Sequence, residues 1–380
     1  MTALPGALST DRLTRPRVVE VDWRRDRRWL DFLDERPDAL VYHHPGWLES
    51  LSREYGRSPV GLACVDAAGR VRGLMPLLET RGLPVPRAGA TVRARVSSLP
   101  RTPLAGPIAE SADAESALVE AALDRVRARP GLELEIKPAR PGLAGRAGGL
   151  TEVPWRPSYV LHLPEPGVPL RFGSGRNHAR IRWAVQKAQR AGVRLRDART
   201  PADVRAWHRI YLDTMRRNLV PPRPLRLFLA LWETLGRAGH MRLLLAERPP
   251  AGLIGGSVLL AFGQTVFYAF NAVHRDAVAL RPNDLLQWQA IHDARDGGFR
   301  RYDLGEVGAG NAGLADFKRK WGGEEIRLHR CYHPPPGQGV KHESGDTGPK
   351  GRLRDPAAAV WQRVPLGATA LAGDLVYRFL

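Results

Sequence analysis

Residues 253–270, LIGGSVLLAFGQTVFYAF, decide the architecture. Two apolar runs flank Gly263-Gln264, a two-residue connection whose glycine suits a tight hairpin. The first run is halved by Gly255 and Gly256 and falls far short of the roughly 20 apolar residues a bilayer crossing needs, so it is a strand. Downstream, Pro282 and Asn283 open a helix that runs to Gly297. Residues 301–304, RYDL, then form a strand aimed at the glycine-bearing loop 305–310. A hairpin, a helix and a further strand define a mixed α/β unit.

The same order occurs upstream. Strand-like residues 59–66 and 71–78 are joined through Ala67, Ala68, Gly69 and Arg70, an Ala/Leu/Arg-rich helix is expected over residues 112–129, and an alternating strand over 132–136. Residues 139–157 are loaded with Gly and Pro and are expected to be loop before a strand over 159–163. In the second half, Ser174 caps a helix that ends at Gly192, and Thr200-Pro201 opens another. The expected organisation is an N-terminal unit over residues 14–163, a similar C-terminal unit over 164–333, a flexible linker over 334–355, and an amphipathic helical tail over 356–380 broken at Pro365. Each unit should be a mixed, mostly antiparallel twisted sheet flanked by helices.

At 380 residues with 43% hydrophobic content the chain can bury two cores. Asp11 and Arg12 stand where an export signal would place its apolar centre, so a cytoplasmic location is expected. Two cysteines without a CxxC pattern, and adjacent His43 and His44 without further ligand spacing, point to neither disulfide nor metal. The formal net charge of +19 favours a polyanionic partner, discounted because arginine is abundant throughout the chain.

Residues 285–290 (LLQWQA), Gly297-Gly298-Phe299, Tyr302-Asp303-Leu304-Gly305 and residues 313–322 (GLADFKRKWG) come in an order that resembles the second half of FemAB-like proteins. Residues 176–192 and His44-Pro45-Gly46-Trp47 extend the resemblance, which covers roughly residues 17–333. It implies two tandem GNAT folds and transfer of an aminoacyl or acyl group to an amine, in a family that includes enzymes using aminoacyl-tRNA to build peptidoglycan precursors. By that resemblance Phe317 and Lys318 match the pair lining the acyl-donor channel. Tyr268 falls near a channel tyrosine, and Arg217 with Asn218 resembles an Arg-Asp position that meets acceptor phosphate. The family also carries a lysine about one helical turn after the first-unit tryptophan. Here Ser50 and Leu51 follow Trp47, which speaks against a nucleotide-linked muropeptide and leaves a lipid-linked, saccharide or small-amine acceptor.

Aminolysis of an ester passes through an oxyanion, which a fixed cation such as Lys318 stabilises. Lys318 competes with few other lysines, namely Lys137, Lys187, Lys320, Lys341 and Lys350. Asp303, at a strand end before Gly305, reads either as a cap on loop amides or as acceptor of the amine's proton, a role open to Glu306 as well. Tyr268 and Asn271 lie on the strand beside the expected cleft, and Arg216 with Arg217 ends a helix whose C-terminus favours cations in any case.

The donor is addressed by an omission. CoA-dependent GNAT enzymes cradle pyrophosphate on a glycine-rich loop at a helix N-terminus. Here that junction is Val278-Ala279-Leu280-Arg281-Pro282-Asn283, with no glycine and one amide removed by proline, though Arg281 could hold one phosphate. A helix carrying Arg176, Arg180, Lys187 and Arg190 without an interrupting acid instead offers a track for phosphates, or simply a solvated Arg-rich face. The expectation is a monomeric aminoacyl-tRNA-dependent N-acyltransferase without a bound cofactor, whose tail docks against the protein's own body, the commoner use of such a segment, with peripheral contact at the inner membrane face as the minority alternative. An acyl-CoA-dependent N-acyltransferase and a non-catalytic basic RNA- or membrane-binding scaffold are the alternatives.

Overall fold

The structure is a computed structural model that describes residues 16–82, 94–336 and 356–379; most of the expected linker lies outside the described residues. The first half contains β1 (Arg17–Val21), α1 (Arg27–Asp34), α2 (Pro45–Tyr55), β2 (Val60–Val65), β3 (Val71–Thr80), β4 (Arg95–Ser97), β5 (Ile108–Ala109), α3 (Ala112–Arg127), β6 (Glu133–Ile136), α4 (Leu143–Arg146) and β7 (Thr151–His162). The second contains α5 (Gly175–Arg190), β8 (Arg194–Asp197), α6 (Pro201–Arg217), α7 (Leu225–Leu231), β9 (Met241–Arg248), β10 (Gly252–Phe262), β11 (Thr265–Val273), α8 (Pro282–Asp296), β12 (Arg301–Glu306), α9 (Ala312–Lys320) and β13 (Glu324–His333). The tail forms α10 (Pro356–Arg363) and α11 (Leu366–Val376).

Local signals set most of these boundaries. The Ser174 side chain accepts from the Asn177 amide at the start of α5, Thr200 and Asp203 form a capping box on α6, and Pro282 occupies the first turn of α8. One expectation fails. The Gly/Pro-rich segment before residue 159 is not all loop, because β7 already begins at Thr151 and passes through Pro154 and Pro157. There it pairs with β13 alone, and β12 joins on the other side only from Ser158 onward. A proline that cannot donate to a ladder is tolerated on such an edge stretch.

A single sheet runs through both halves in the order β1-β2-β3-β4-β6-β13-β7-β12-β11-β10-β9-β8. At its centre the halves exchange strands: β13 from the second lies between β6 and β7 of the first, and β7 lies between β13 and β12. All pairings are antiparallel except two, β4 with β6 and β11 with β12. One core is shared as well, since Trp29, Trp47 and Leu51 of the first half pack in one cluster with Trp207, Phe228 and Leu245 of the second. Two further cores lie under α3 and under α5 and α8, and the strand exchange carries Cys331 of β13 into the first and Tyr159 and Leu161 of β7 into the second.

The glycine pair in β10 has a packing reason. The Trp207 indole on α6 donates to the Gly256 carbonyl at 2.9 Å, and a Cβ at Gly256 would stand 2.8–2.9 Å from Leu244 O, Leu245 and Trp207. Gly256→Ala is therefore expected to destabilise the protein by about 1–3 kcal/mol through overpacking. Urea unfolding of the two proteins measures it, and an unchanged midpoint contradicts the packing account.

Candidate active site between the two units

The two parallel pairs position the site. β11 and β12 pair only at Thr265–Arg301, Val266–Tyr302 and Phe267–Asp303, although β11 continues to Val273 and β12 to Glu306. Beyond Phe267 and Asp303 they part. In the first half β4 and β6 pair over Arg95–Ser97 and Glu133–Glu135, after which the chain leaves β4 in a turn. That turn holds Leu99 at φ +62° and Arg101 at φ +56°, a left-handed conformation unusual for non-glycine residues. Both divergences open onto one cavity of about 660 Å³, lined by Ser97, Glu135 and Lys137 from the first half and by Tyr268, Asp303 and Glu306 from the second. Six cationic side chains and four carboxylates face it, with Trp47, Tyr42 and Phe270 as apolar wall.

Asp303 is 4% exposed. One carboxylate oxygen accepts from the Ser158 hydroxyl and from the Gly305 amide, both at 2.7 Å. Burial raises its pKa, opposed by those two hydrogen bonds and by the Lys318 ammonium. Asp303 and Phe267 also line a second cavity of about 620 Å³ that contains His43, Ser158 and Arg301. The Asp303 carboxylate thus satisfies the Gly305 amide, as the cap reading expects, and at the same time borders the cleft.

Lys318 is buried and does not point into bulk water. Its ammonium donates to the carbonyls of Gly305 at 2.7 Å and Glu306 at 3.0 Å, from behind the turn that ends β12. Gly305 has φ +83°, a conformation that glycine enters without a Cβ penalty. Burial pulls the Lys318 pKa down to about 8, against the attraction of Asp303 and Glu306. Phe317 is half-buried against the second-half core, with the Lys320 ammonium 4.8 Å from its ring centre.

Of the residues expected at the site, Trp47, Tyr268 and Asp303 meet at this cavity. Burial pushes the Tyr268 phenol up. Asn271 instead bridges Ser257 and Asn283, accepting from one at 3.0 Å and donating to the other at 3.1 Å. Arg281 is exposed, with φ +64°, at the start of α8. Arg216 and Arg217 both pair with Asp213 and line a different hollow of about 1000 Å³ with His274, Arg275 and Gln362. Arg176, Arg180 and Arg190 are exposed on α5, while Lys187 is half-buried with its ammonium 5.4 Å from the Trp183 ring centre. Trp183, itself 51% exposed among these cations, escaped the sequence pattern because an apolar residue on a helix is expected to face inward.

Among the cavity residues that were not anticipated, Arg223, Arg330, Glu135 and Lys137 carry charge and are buried. Arg223 forms a two-point ion pair with Glu54 at 2.9 and 2.6 Å beside Trp47. Arg330 reaches Glu306 at 3.2 Å and lies 4.8 Å from the Trp155 ring centre. Glu135 accepts from the Ser97 hydroxyl at 3.3 Å, and Lys137 donates to the Leu99 carbonyl. Only Lys137 carries a signal in the sequence, as a rare lysine closing an alternating strand before Pro138.

The fold is that of tandem GNAT proteins, and residues 175–319 match the GNAT acetyltransferase domain family. The chain is similar in sequence to a lipid II:glycine glycyltransferase and in fold to FemX. It is 29% identical over 96 residues to the lipid II:glycine glycyltransferase of Staphylococcus haemolyticus (strain JCSC1435), a match that covers 24% of this chain and 23% of that protein. The chain therefore spans about a quarter of the length of that curated relative. The crystal structure of FemX superposes with a TM-score of 0.64 at 15% identity, covering 82% of this chain and 96% of FemX. That of L-PGS from Bacillus licheniformis gives 0.52 at 12% identity, covering 77% and 93%. At these identities the two structures attest the fold. Among the described residues no helix is long and apolar enough to cross a membrane.

Proposed function

We propose that the protein transfers an aminoacyl group from tRNA onto an amine, in a cell-envelope precursor, an amino sugar or a smaller amine. The observation that carries this reading is the shared cavity. Two strand divergences, one from each half, meet in a single cleft of a size that accommodates small-molecule groups. Such a space brings a donor ester and an acceptor amine together out of bulk water, which turns a bimolecular step into a positioned one. The second half would supply the donor side, with Tyr268 and Asp303 at its end of the cavity. Lys318 holds the Gly305–Glu306 turn in place and acts through it.

The choice of tRNA over CoA rests on two surfaces. At the start of α8, Pro282 removes an amide and the buried Asp284 lies in the first turn, paired with Lys320 at 2.5 Å, so a negative side chain occupies the place that would bind pyrophosphate. On α5, Arg176, Arg180 and Arg190 are exposed, and among the described residues no carboxylate pairs with them. Trp183 adds an aromatic face between these cations, a combination suited to nucleic-acid backbone and base.

The test incubates purified protein with labelled aminoacyl-tRNA or labelled acyl-CoA and a panel of lipid-linked precursor, amino sugar and small amines. RNase-sensitive transfer is expected, falling in the Arg176→Ala/Arg180→Ala/Arg190→Ala variant chiefly through a higher KM for tRNA and a shallower salt dependence. Transfer from acyl-CoA overturns the donor assignment.

A further inference from the structure

The two halves each bring a buried carboxylate to the shared cavity. Each ends its parallel strand pair with a buried carboxylate that has a buried lysine nearby, Asp303 with Lys318 of α9 in the second half and Glu135 with Lys137 of the strand end in the first. The two lysines are used differently. Lys318 has two carbonyl partners behind its turn, whereas Lys137 lines the cavity and its hydrogen bond goes to the Leu99 carbonyl alone.

Lys137 has Glu135 as its strongest negative influence but, among the described residues, no carboxylate of its own in an ion pair. Glu135, on its own strand, stands 3.6 Å from both Arg95 of β4 and Arg330 of β13, and Glu306 of β12 pairs with Arg330 at 3.2 Å. Arg101, on the turn after β4, adds repulsion. Arg95 is also held by Glu133 at 3.0 Å, so three carboxylates share two guanidinium groups, and among the described residues none forms an ion pair with Lys137. The Leu99 carbonyl that receives the Lys137 N–H also accepts from the Thr102 hydroxyl at 2.7 Å. Its turn is held with two non-glycine residues at positive φ, Leu99 and Arg101. Backbone strain of this kind persists where surrounding structure enforces it and clusters at functional sites.

We propose that the first-half strand divergence is the acceptor subsite and that the Lys137 side-chain nitrogen removes the proton from the incoming ammonium, an assignment that rests on the transfer reading above. A neutral Lys137 donates one N–H to Leu99 and turns its lone pair to the cavity. It takes one proton from the acceptor ammonium, and the freed amine forms a C–N bond to the ester carbonyl carbon. The C–O bond to the donor breaks, the departing oxygen takes the second proton from the attacking nitrogen, and Lys137 returns the first to solvent. Glu135 offers the approaching ammonium a carboxylate. Burial, the largest influence, brings the Lys137 pKa down to about 7, against the pull of Glu135 and Glu306 and with the help of Arg330 and Arg101. Neutral amine is then available at physiological pH.

Two measurements decide the matter. The first is the pH dependence of Lys137 acetylation by acetic anhydride in the full-length protein, followed by mass spectrometry and read against the other five lysines. A midpoint near 7 is expected, and a midpoint in the ordinary lysine range overturns the proposal. The second is kcat/KM for transfer from aminoacyl-tRNA in the native protein, Lys137→Met and Lys137→Arg. A fall of about 10²-fold, with the ascending acid limb moving up to the acceptor amine's own ionisation in both variants, is expected of a general base. Native protein that transfers, with variants of unchanged rate and limb, overturns the role of Lys137 and leaves the transferase reading standing. Native protein that transfers from no donor overturns the transferase reading itself and the base role with it. Should a variant fail to fold, labelling of the native protein still decides.

Discussion

Arg223→Met is expected to lower unfolding free energy by about 3–5 kcal/mol, the range for stranding one member of a buried ion pair. The Glu54 side chain is 0% exposed and that of Arg223 6%, so once the guanidinium is gone the carboxylate cannot recruit water in its place. Glu54 sits on α2 in the first half and Arg223 precedes α7 in the second, with the rings of Trp47, Phe270 and Tyr377 5.6–5.9 Å from the guanidinium carbon. The loss therefore falls on the contact between the halves and on the wall of the cavity. A buried pair differs from its parts: replacing both with apolar residues of similar volume is often neutral or better. Glu54→Leu/Arg223→Met should accordingly recover most of the loss, a positive coupling that a double-mutant cycle in urea reads directly. If both single variants unfold at the native midpoint, the pair does not hold the halves together.

The same pair shows where sequence stops informing. Helix starts were legible because they are local: Ser174, Thr200 and Pro282 announce themselves within three residues of the amides they serve. Both hairpins were legible for the same reason. The exchange of β7 and β13 was not, because the partners are separated by most of the second half, and Pro154 and Pro157 argue against a strand unless the one-sided pairing is known. At the site, Asp303 could be placed from its position at a strand end before Gly305, and Tyr268 and Trp47 from the family resemblance around them. Arg223, Arg330 and Glu135 become a cluster only when three distant segments meet, and an arginine-rich composition hides any single arginine that matters. Lys318 was found through its motif, yet its partners, two backbone carbonyls, have no signature in a sequence at all.

Those carbonyls define what Lys318→Met should do. Removing the ammonium leaves the Gly305 and Glu306 carbonyls without their charged donor in a buried place, and it removes the cation that opposes the rise in the Asp303 pKa. The turn that sets Glu306 and the end of β12 then shifts, and displacement of about 1 Å at a reacting centre costs on the order of 10²-fold in rate. A drop in kcat/KM of that order is expected, with most of the secondary structure intact by circular dichroism. The pH profile distinguishes this from simple loss of packing. Lys318 faces Asp303, Glu306 and, at 6.0 Å from the ring centre, Tyr159, and its pKa lies at about 8, below the ordinary lysine value. It is charged below that pH and loses its hold on the turn as pH rises through it, so the native enzyme should decline on the alkaline side near 8. Together with a base that must be neutral, this gives a narrow bell in kcat/KM. Lys318→Arg keeps its charge at every accessible pH and should move the descending limb upward while restoring part of the rate, as a donor to the same two carbonyls. A Lys318→Met enzyme with native rate and an unchanged alkaline limb rules out the turn as the route by which this lysine acts.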